Sequence, residues 1–251
     1  MKAVAAVNKN VIVVVHSVGP VILETILAQS NVKAIVWAGL PGQESGNALV
    51  DILYGHTAPN GKLPYTIAKQ QSDYGAWWTS GQVDTFSEGL FVDYRHFDQK
   101  GITPRYEFGY GLSYTTFEYS NFHANVFAVP GPSGGQVVPG GPAELFQPVG
   151  IVTAMVRNTG RVAGAEVAQL YLGLPNSAPT SPPKQLRGFQ KVDLRPGQWA
   201  QVAFSLTRRD LSYWDTATQK WVLPSGRFSV YVGSSSRDIR QQGSFAIRGG
   251  W

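Results

Sequence analysis

The sequence predicts an α/β part followed by an all-β part, and three observations carry that expectation. Val11 to Val15 and Val32 to Trp37 are short, continuous apolar runs rich in β-branched residues, the pattern of strands covered on both faces of a parallel sheet. Each is followed by helix-like apolar spacing, over Val21–Leu27 and over Asn47–Tyr54. From about Thr115 the period changes to two: Val202, Phe204 and Leu206 alternate with Ala203 and Ser205, and Phe228, Val230 and Val232 with Ser229 and Tyr231. A βαβα order requires right-handed crossovers and a parallel sheet. Short alternating strands between turns over about 100 residues are the pattern of a β-sandwich.

Taken in order, the apolar start of the chain reads as strand rather than leader. Asn8-Lys9-Asn10 interrupts it, the run Val11 to Val15 is short for a signal-peptide core, and no small-residue cleavage pattern follows. Gly19-Pro20 turns the chain into the first helix. Pro59 to Pro64 is a turn, residues 70 to 88 read as a polar loop with an exposed Trp77-Trp78, and Gly89 to Phe97 reads as a strand. Residues 130 to 142, punctuated by Gly and Pro, read as a surface loop. Asn158-Thr159-Gly160 and Pro224-Ser225-Gly226 are turn signals between strands.

With 251 residues, 43% of them hydrophobic and only 15% charged, the chain supports a buried core and is not a solvated disordered chain. The net charge of +5 is scattered, and Arg208-Arg209 is its densest pair. A nucleic-acid surface needs such charges clustered on one face, so no nucleic-acid partner is expected, and no apolar run approaches the ~20 residues of a membrane span. The absence of cysteine removes disulfides, thiol nucleophiles and the common zinc sites.

Several clusters invite a chemical reading. His16-Ser17 follows the first strand, where a nucleophile elbow would sit, but the elbow needs glycine at the position that Val15 occupies; Ser17 reads better as a turn or capping residue. Glu44 and Asp51 are carboxylates near the sheet edge. On a helix, seven residues separate them by about 10 Å, against the ~5–5.5 Å of a retaining glycosidase pair. Glu44 near the helix start complements the helix dipole and is also the candidate substrate-binding residue at the edge of the sheet. Asp93, Arg95, His96 and Asp98 read either as a metal or acid/base cluster or as a salt-bridge set at a domain junction. Strand alternation would put Asp93 and Arg95 on one face, and Arg–carboxylate pairs suit an interface. The histidines show no metal-ligand spacing. Seven Trp residues supply flat apolar surfaces of the kind that stack on sugar rings. Trp77-Trp78 is the exposed pair, and Trp214 reads as pinning a sandwich loop.

Three long segments resemble a known family. They are Gly39-Leu40-Pro41-Gly42-Gln43-Glu44-Ser45-Gly46, Thr103-Pro104-Arg105-Tyr106-Glu107-Phe108-Gly109-Tyr110-Gly111-Leu112-Ser113-Tyr114, and Pro182-Pro183-Lys184-Gln185-Leu186-Arg187-Gly188-Phe189. Together, and in this order, they resemble the C-terminal part of family 3 glycoside hydrolases of the secreted fungal β-glucosidase type. The resemblance implies the C-terminal part of an α/β sandwich domain with its connecting segment over 1–103, then a fibronectin type III-like β-sandwich over 104–251.

It also implies hydrolysis of terminal β-D-glucosyl residues from cellobiose and short β-glucosides by a retaining two-carboxylate mechanism. The family takes its Asp nucleophile from an N-terminal barrel and its Glu acid/base from a Ser-Gly-Glu-Gly-Tyr-like loop ahead of the Gly-Leu-Pro-Gly segment. Neither motif occurs in this chain; Ser87-Glu88-Gly89 lies in the connecting segment instead. The resemblance therefore implies no catalytic residue here, no metal and no cofactor. It implies a piece of a longer, extracellular enzyme, inactive alone, whose partners are the small β-glucoside or cello-oligosaccharide and the missing barrel and first part of the sandwich domain. The alternative is a non-catalytic carbohydrate-binding or structural module.

Overall fold

The computed structural model describes residues 2–76, 81–179 and 181–249. The first part runs α1 (Lys2–Val7), β1 (Val11–Val15), α2 (Glu24–Leu27), β2 (Val32–Trp37), α3 (Ser45–Leu53), a 3-10 turn (Gln71–Tyr74) and α4 (Tyr94–Lys100). β1 and β2 pair in parallel, with Val15 opposite Trp37. The βαβα order thus holds as expected, but the burial does not. Val11 is buried, whereas Ile12 is 52% exposed. Among the described residues this sheet has two strands, and α2 and α3 bury no residue. Val13 to Val15 and Ile35 to Trp37 stay half-buried.

Two elements correct the sequence reading. Lys2–Val7 is helical rather than strand. Gly89 to Phe97 is not a strand, because α4 begins at Tyr94. The Asp93 carboxylate explains the difference. It accepts the Tyr94 backbone N–H at the helix start and also the Thr66 backbone N–H and hydroxyl, each at 2.8 Å. An Asp cap, Lys100 in the last turn and Gly101 beyond it are helix start and stop signals, and they outweigh the aromatic, β-like composition of Leu90 to Phe97. On a helix, Asp93 and Arg95 no longer share a face as strand alternation would have it.

The second part is the predicted β-sandwich. β3 (Phe117–Val126) is followed by three two-residue strands, β4 (Gly131–Pro132), β5 (Val137–Val138) and β6 (Gly141–Pro142). The long strands are then β7 (Pro148–Asn158), β8 (Gly164–Gly173), β9 (Gln185–Leu194) and β10 (Trp199–Thr207). A hairpin of β11 (Tyr213–Asp215) and β12 (Lys220–Leu223) precedes β13 (Gly226–Gly233) and β14 (Ile239–Ile247). A three-stranded sheet in the order β10-β7-β3 packs on a four-stranded sheet in the order β14-β13-β8-β9. Both are antiparallel.

Alternation delivers the core. Val152, Ala154 and Val156 of β7 and Val202, Phe204 and Leu206 of β10 meet Ala168, Leu170 and Leu172 of β8 and Phe228, Val230 and Val232 of β13. Burying each larger apolar side chain contributes about 1.5–3 kcal/mol before chain entropy is counted. The segment read as a surface loop over 130 to 142 carries the short strands β4 to β6 and is anchored. β4 pairs with β12, and the Arg208 guanidinium donates to the Val129 and Gly131 carbonyls and to the Ser133 hydroxyl. Trp214 stands edge-on to Trp221 across the β11–β12 hairpin, ring centroids 5.8 Å apart, which matches its expected pinning role.

The parts meet over β8. Gln169 and Tyr171 point away from the sandwich core yet are buried, because the 94–114 stretch covers them. Gln169 Nε2 donates to the Gly109 carbonyl at 3.2 Å, and Tyr94 packs edge-on against Tyr171 at 5.9 Å. Lys62 reaches Glu166 at 3.4 Å, and Asp98 pairs with Lys184 at 2.5 Å and Arg237 at 3.2 Å. The junction ion pairs expected from the 93–98 cluster thus exist, but Asp98 makes them. Asp93 serves the α4 cap, and Arg95 Nε donates to the Val92 carbonyl.

Candidate functional site

The C-terminal edge of the β1–β2 pair is where a parallel sheet presents ligand-facing groups. β1 runs out into His16-Ser17 and β2 into Ala38-Gly39. Gly39 and Gly42 adopt φ of 64° and 73°, left-handed values that favour glycine, and the loop between them delivers Glu44 to the α3 N-terminus. Half-buried Trp37 donates its indole N–H to the Tyr65 hydroxyl at 2.8 Å, and the two rings meet edge-on at 6.1 Å. The edge therefore offers an ordered aromatic pair and an exposed carboxylate.

Glu44 is exposed, and its side chain accepts one hydrogen bond, from Asn47 Nδ2 at 2.6 Å. Asp51 lies further along α3 and faces His56 at 3.4 Å. The two carboxylates have separate partners. Ser17 donates to the Gly19 carbonyl at 2.8 Å and accepts the Gly19 N–H, so it serves the turn and not a triad. Among the described residues no group of three or more His, Asp or Glu converges as a metal site would require. Trp77-Trp78 lies outside the described residues.

Among the described residues, two open concavities lie away from this edge with a single carboxylate apiece. One, of about 910 Å³, lies at the junction between His56, Asn60, Asp193, Arg195 and Gln198. The other, of about 1040 Å³, lies on the outer face of the β10-β7-β3 sheet and contains Glu118. A glycosidase general acid needs a raised pKa. Three carboxyls here move the other way. Glu24 is held low by hydrogen bonds from Arg105, Asp215 by those from Thr218 and Ala217, and Asp238 by those from Arg240. Each is tied to a local partner in the fold.

Comparison with known proteins agrees with this picture. Residues 1–114 match the glycosyl hydrolase family 3 C-terminal domain, and residues 166–236 match the fibronectin type III-like domain. The chain is 72% identical over 251 residues to a probable β-glucosidase L of Neosartorya fischeri, covering 100% of this chain and 34% of that protein. It is 58% identical over 249 residues to β-glucosidase cel3A of Pyricularia oryzae, covering 98% of this chain and 34% of that protein. The β-D-glucoside glucohydrolase crystal structure from Trichoderma reesei superposes with a TM-score of 0.97 at 62% identity, over 98% of this chain and 35% of that one. β-Glucosidase 3B from Thermotoga neapolitana, solved with α-D-glucose, gives a TM-score of 0.80 at 33% identity, over 96% of this chain and 31% of that one. The chain spans about a third of the length of the relatives it matches. It belongs to glycosyl hydrolase family 3, and carries that family's C-terminal domain and fibronectin type III-like domain.

Proposed function

We propose that this chain works as the C-terminal third of an extracellular β-glucosidase that releases terminal β-D-glucosyl residues from cellobiose and short β-glucosides during cellulose breakdown. The observation that carries the reading is identity of 72% over all 251 residues to a probable β-glucosidase. In this reading the two carboxylates of a retaining mechanism come from sequence that these residues do not include. That fits concavities holding one carboxylate apiece.

The chain's own contribution is then positional. The β1–β2 edge forms one wall of the sugar site, with Glu44 as the side chain that reaches the glucoside, and the sandwich braces the part that carries this wall through the pairs Lys184–Asp98, Arg237–Asp98 and Glu166–Lys62. We place the boundary between the two parts at 103/104. The test is a chimera in which these 251 residues replace the matching C-terminal third of the Neosartorya relative. Hydrolysis of cellobiose and aryl β-glucosides at rates close to the parent's supports the reading, with Glu44→Gln raising KM more than it lowers kcat. A soluble, folded chimera without β-glucosidase activity contradicts it.

A further inference from the structure

The two outer faces of the β-sandwich differ. The outer face of the four-stranded sheet is covered at Gln169 and Tyr171 by the junction. Among the described residues, the outer face of the β10-β7-β3 sheet has no such cover and forms the concavity of about 1040 Å³. Its register sets out two rows across the strands, Trp199–Arg157–Glu118 and Gln201–Met155–Ser120. Trp199 is 63% exposed, on β10 at the sheet edge. Beside the second row β3 bulges, and Asn121 takes a φ of 51°, which adds one more amide to the rim. The side chains of Glu118, Ser120, Asn121, Arg157 and Gln201 are exposed and hydrogen-bond to no other described residue.

A flat indole ringed by free donors and acceptors is complementary to a gluco-configured pyranose. Such a sugar carries its hydroxyls equatorially and its axial C–H groups on the ring faces. The indole covers the C–H face, and the hydroxyls reach outward to carboxylate, guanidinium and amide groups. Other ligands fit less well. A protein interface needs a larger apolar centre than one Trp and a half-buried Met. A nucleic acid needs several cations, and Arg157 stands beside Glu118. Two inter-strand spacings make the rows about 10 Å long, more than a single pyranose ring. A flat, extended chain follows such a face, whereas a coiled one lifts off.

We propose that this face is a non-catalytic binding platform for a β-1,4-linked glucan chain, with Trp199 as the stacking residue and Arg157, Glu118 and Gln201 as the hydroxyl-binding rim. The assignment is independent of the β-glucosidase reading, because it concerns binding on a face built wholly from the sandwich.

The experiment is a titration of the full 251-residue chain with cellohexaose, followed by calorimetry and by the indole N–H resonances. Cellohexaose should shift the indole signal that is absent from the Trp199→Phe variant. Trp199→Ala should weaken binding about tenfold or more, the loss of one stacked ring, and Gln201→Ala should weaken it by a smaller factor. Maltohexaose, which coils, should bind weakly or not at all. Three results overturn the platform: no cellohexaose binding at millimolar concentration, a shifted indole that persists in Trp199→Phe, or undiminished affinity in Trp199→Ala. Should Trp199→Ala fail to fold, Gln201→Ala and Arg157→Ala at exposed positions decide instead, and unchanged affinity in both overturns it.

Discussion

Asp98 and Lys184 meet at 2.5 Å across the junction of the two parts, with side-chain exposures of 9% and 16%. Arg237 joins them at 3.2 Å. One carboxylate on α4 therefore neutralises two cations of the sandwich. Removing it leaves Lys184 with little water and takes this counter-charge from both cations. Asp98→Asn should destabilise the chain by about 2–4 kcal/mol, toward the lower end because Arg237 keeps partial solvent access. Thermal and urea unfolding measure this, and a loss under about 0.5 kcal/mol, the range of ordinary surface changes, would mean the pair contributes little to docking.

Asn158 should be as sensitive, without any charge. Its fully buried side chain accepts from the Thr115 hydroxyl at 2.6 Å and the Gly160 N–H at 3.0 Å, and donates to the Val162 and Leu194 carbonyls at 2.8 and 2.9 Å. Asn158→Ala strands four polar partners and should cost about 3 kcal/mol or more. Asn158→Asp should not rescue it, since a carboxylate facing two carbonyls has no proton to offer them. Equal melting temperatures for the wild type and either variant would refute this account of the turn.

Stability should fall on the alkaline side. Tyr119 and Tyr171 are buried phenols whose pKa is pushed well up, chiefly by burial. Glu166 beside Tyr119 adds to the shift, as does Tyr94 near Tyr171. The folded state thus holds protons that the unfolded chain releases at about pH 10. Their contribution is complete below that pH and declines as pH rises above it. Melting temperature should drop progressively above about pH 10. The decline should be shallower in Tyr171→Phe, which removes one titrating group; an unchanged slope would count against the role given to that phenol.

Proteolysis should separate the parts unevenly. Val83 and Phe86 are 78% and 69% exposed, so first cuts are expected over residues 81–90. The loop over 130–142 should resist, held by Arg208. Residues 115–251 expressed alone, with two sheets that close over one core, should melt cooperatively. Residues 1–100 expressed alone should be insoluble or molten, because their two-stranded sheet leaves an open apolar edge. A soluble, cooperatively melting 1–100 fragment would show that this part needs no neighbour.

The sandwich was the legible part of the sequence. Val202, Phe204 and Leu206 alternate because one face of β10 is dry and the other wet, and that contrast writes a period of two into the chain. α4 was harder. Its cap signals, Asp93 and Gly101, surround a seven-residue segment full of aromatic side chains, which fits a strand by composition alone. The exposure of Ile12 was not legible, because an apolar run does not say how many neighbouring strands and helices are there to cover it. The Trp199 face was hidden for a similar reason. One Trp among seven carries no sign of exposure until register sets it beside Arg157 and Gln201 on an uncovered sheet. Of the candidate site, the position of Glu44 after β2 was readable from the strand–glycine loop–helix order, while the Trp37–Tyr65 pair spans 28 residues and depends on folding.

Under the proposed function these residues hold and brace a β-glucosidase site but supply neither of its reacting carboxylates. The most direct measurement is p-nitrophenyl β-D-glucoside hydrolysis by the purified 251-residue chain. No turnover above the uncatalysed rate is expected, because nucleophile and general acid then both come from outside these residues. Turnover that disappears in Glu44→Gln would contradict it and make Glu44 a catalytic residue.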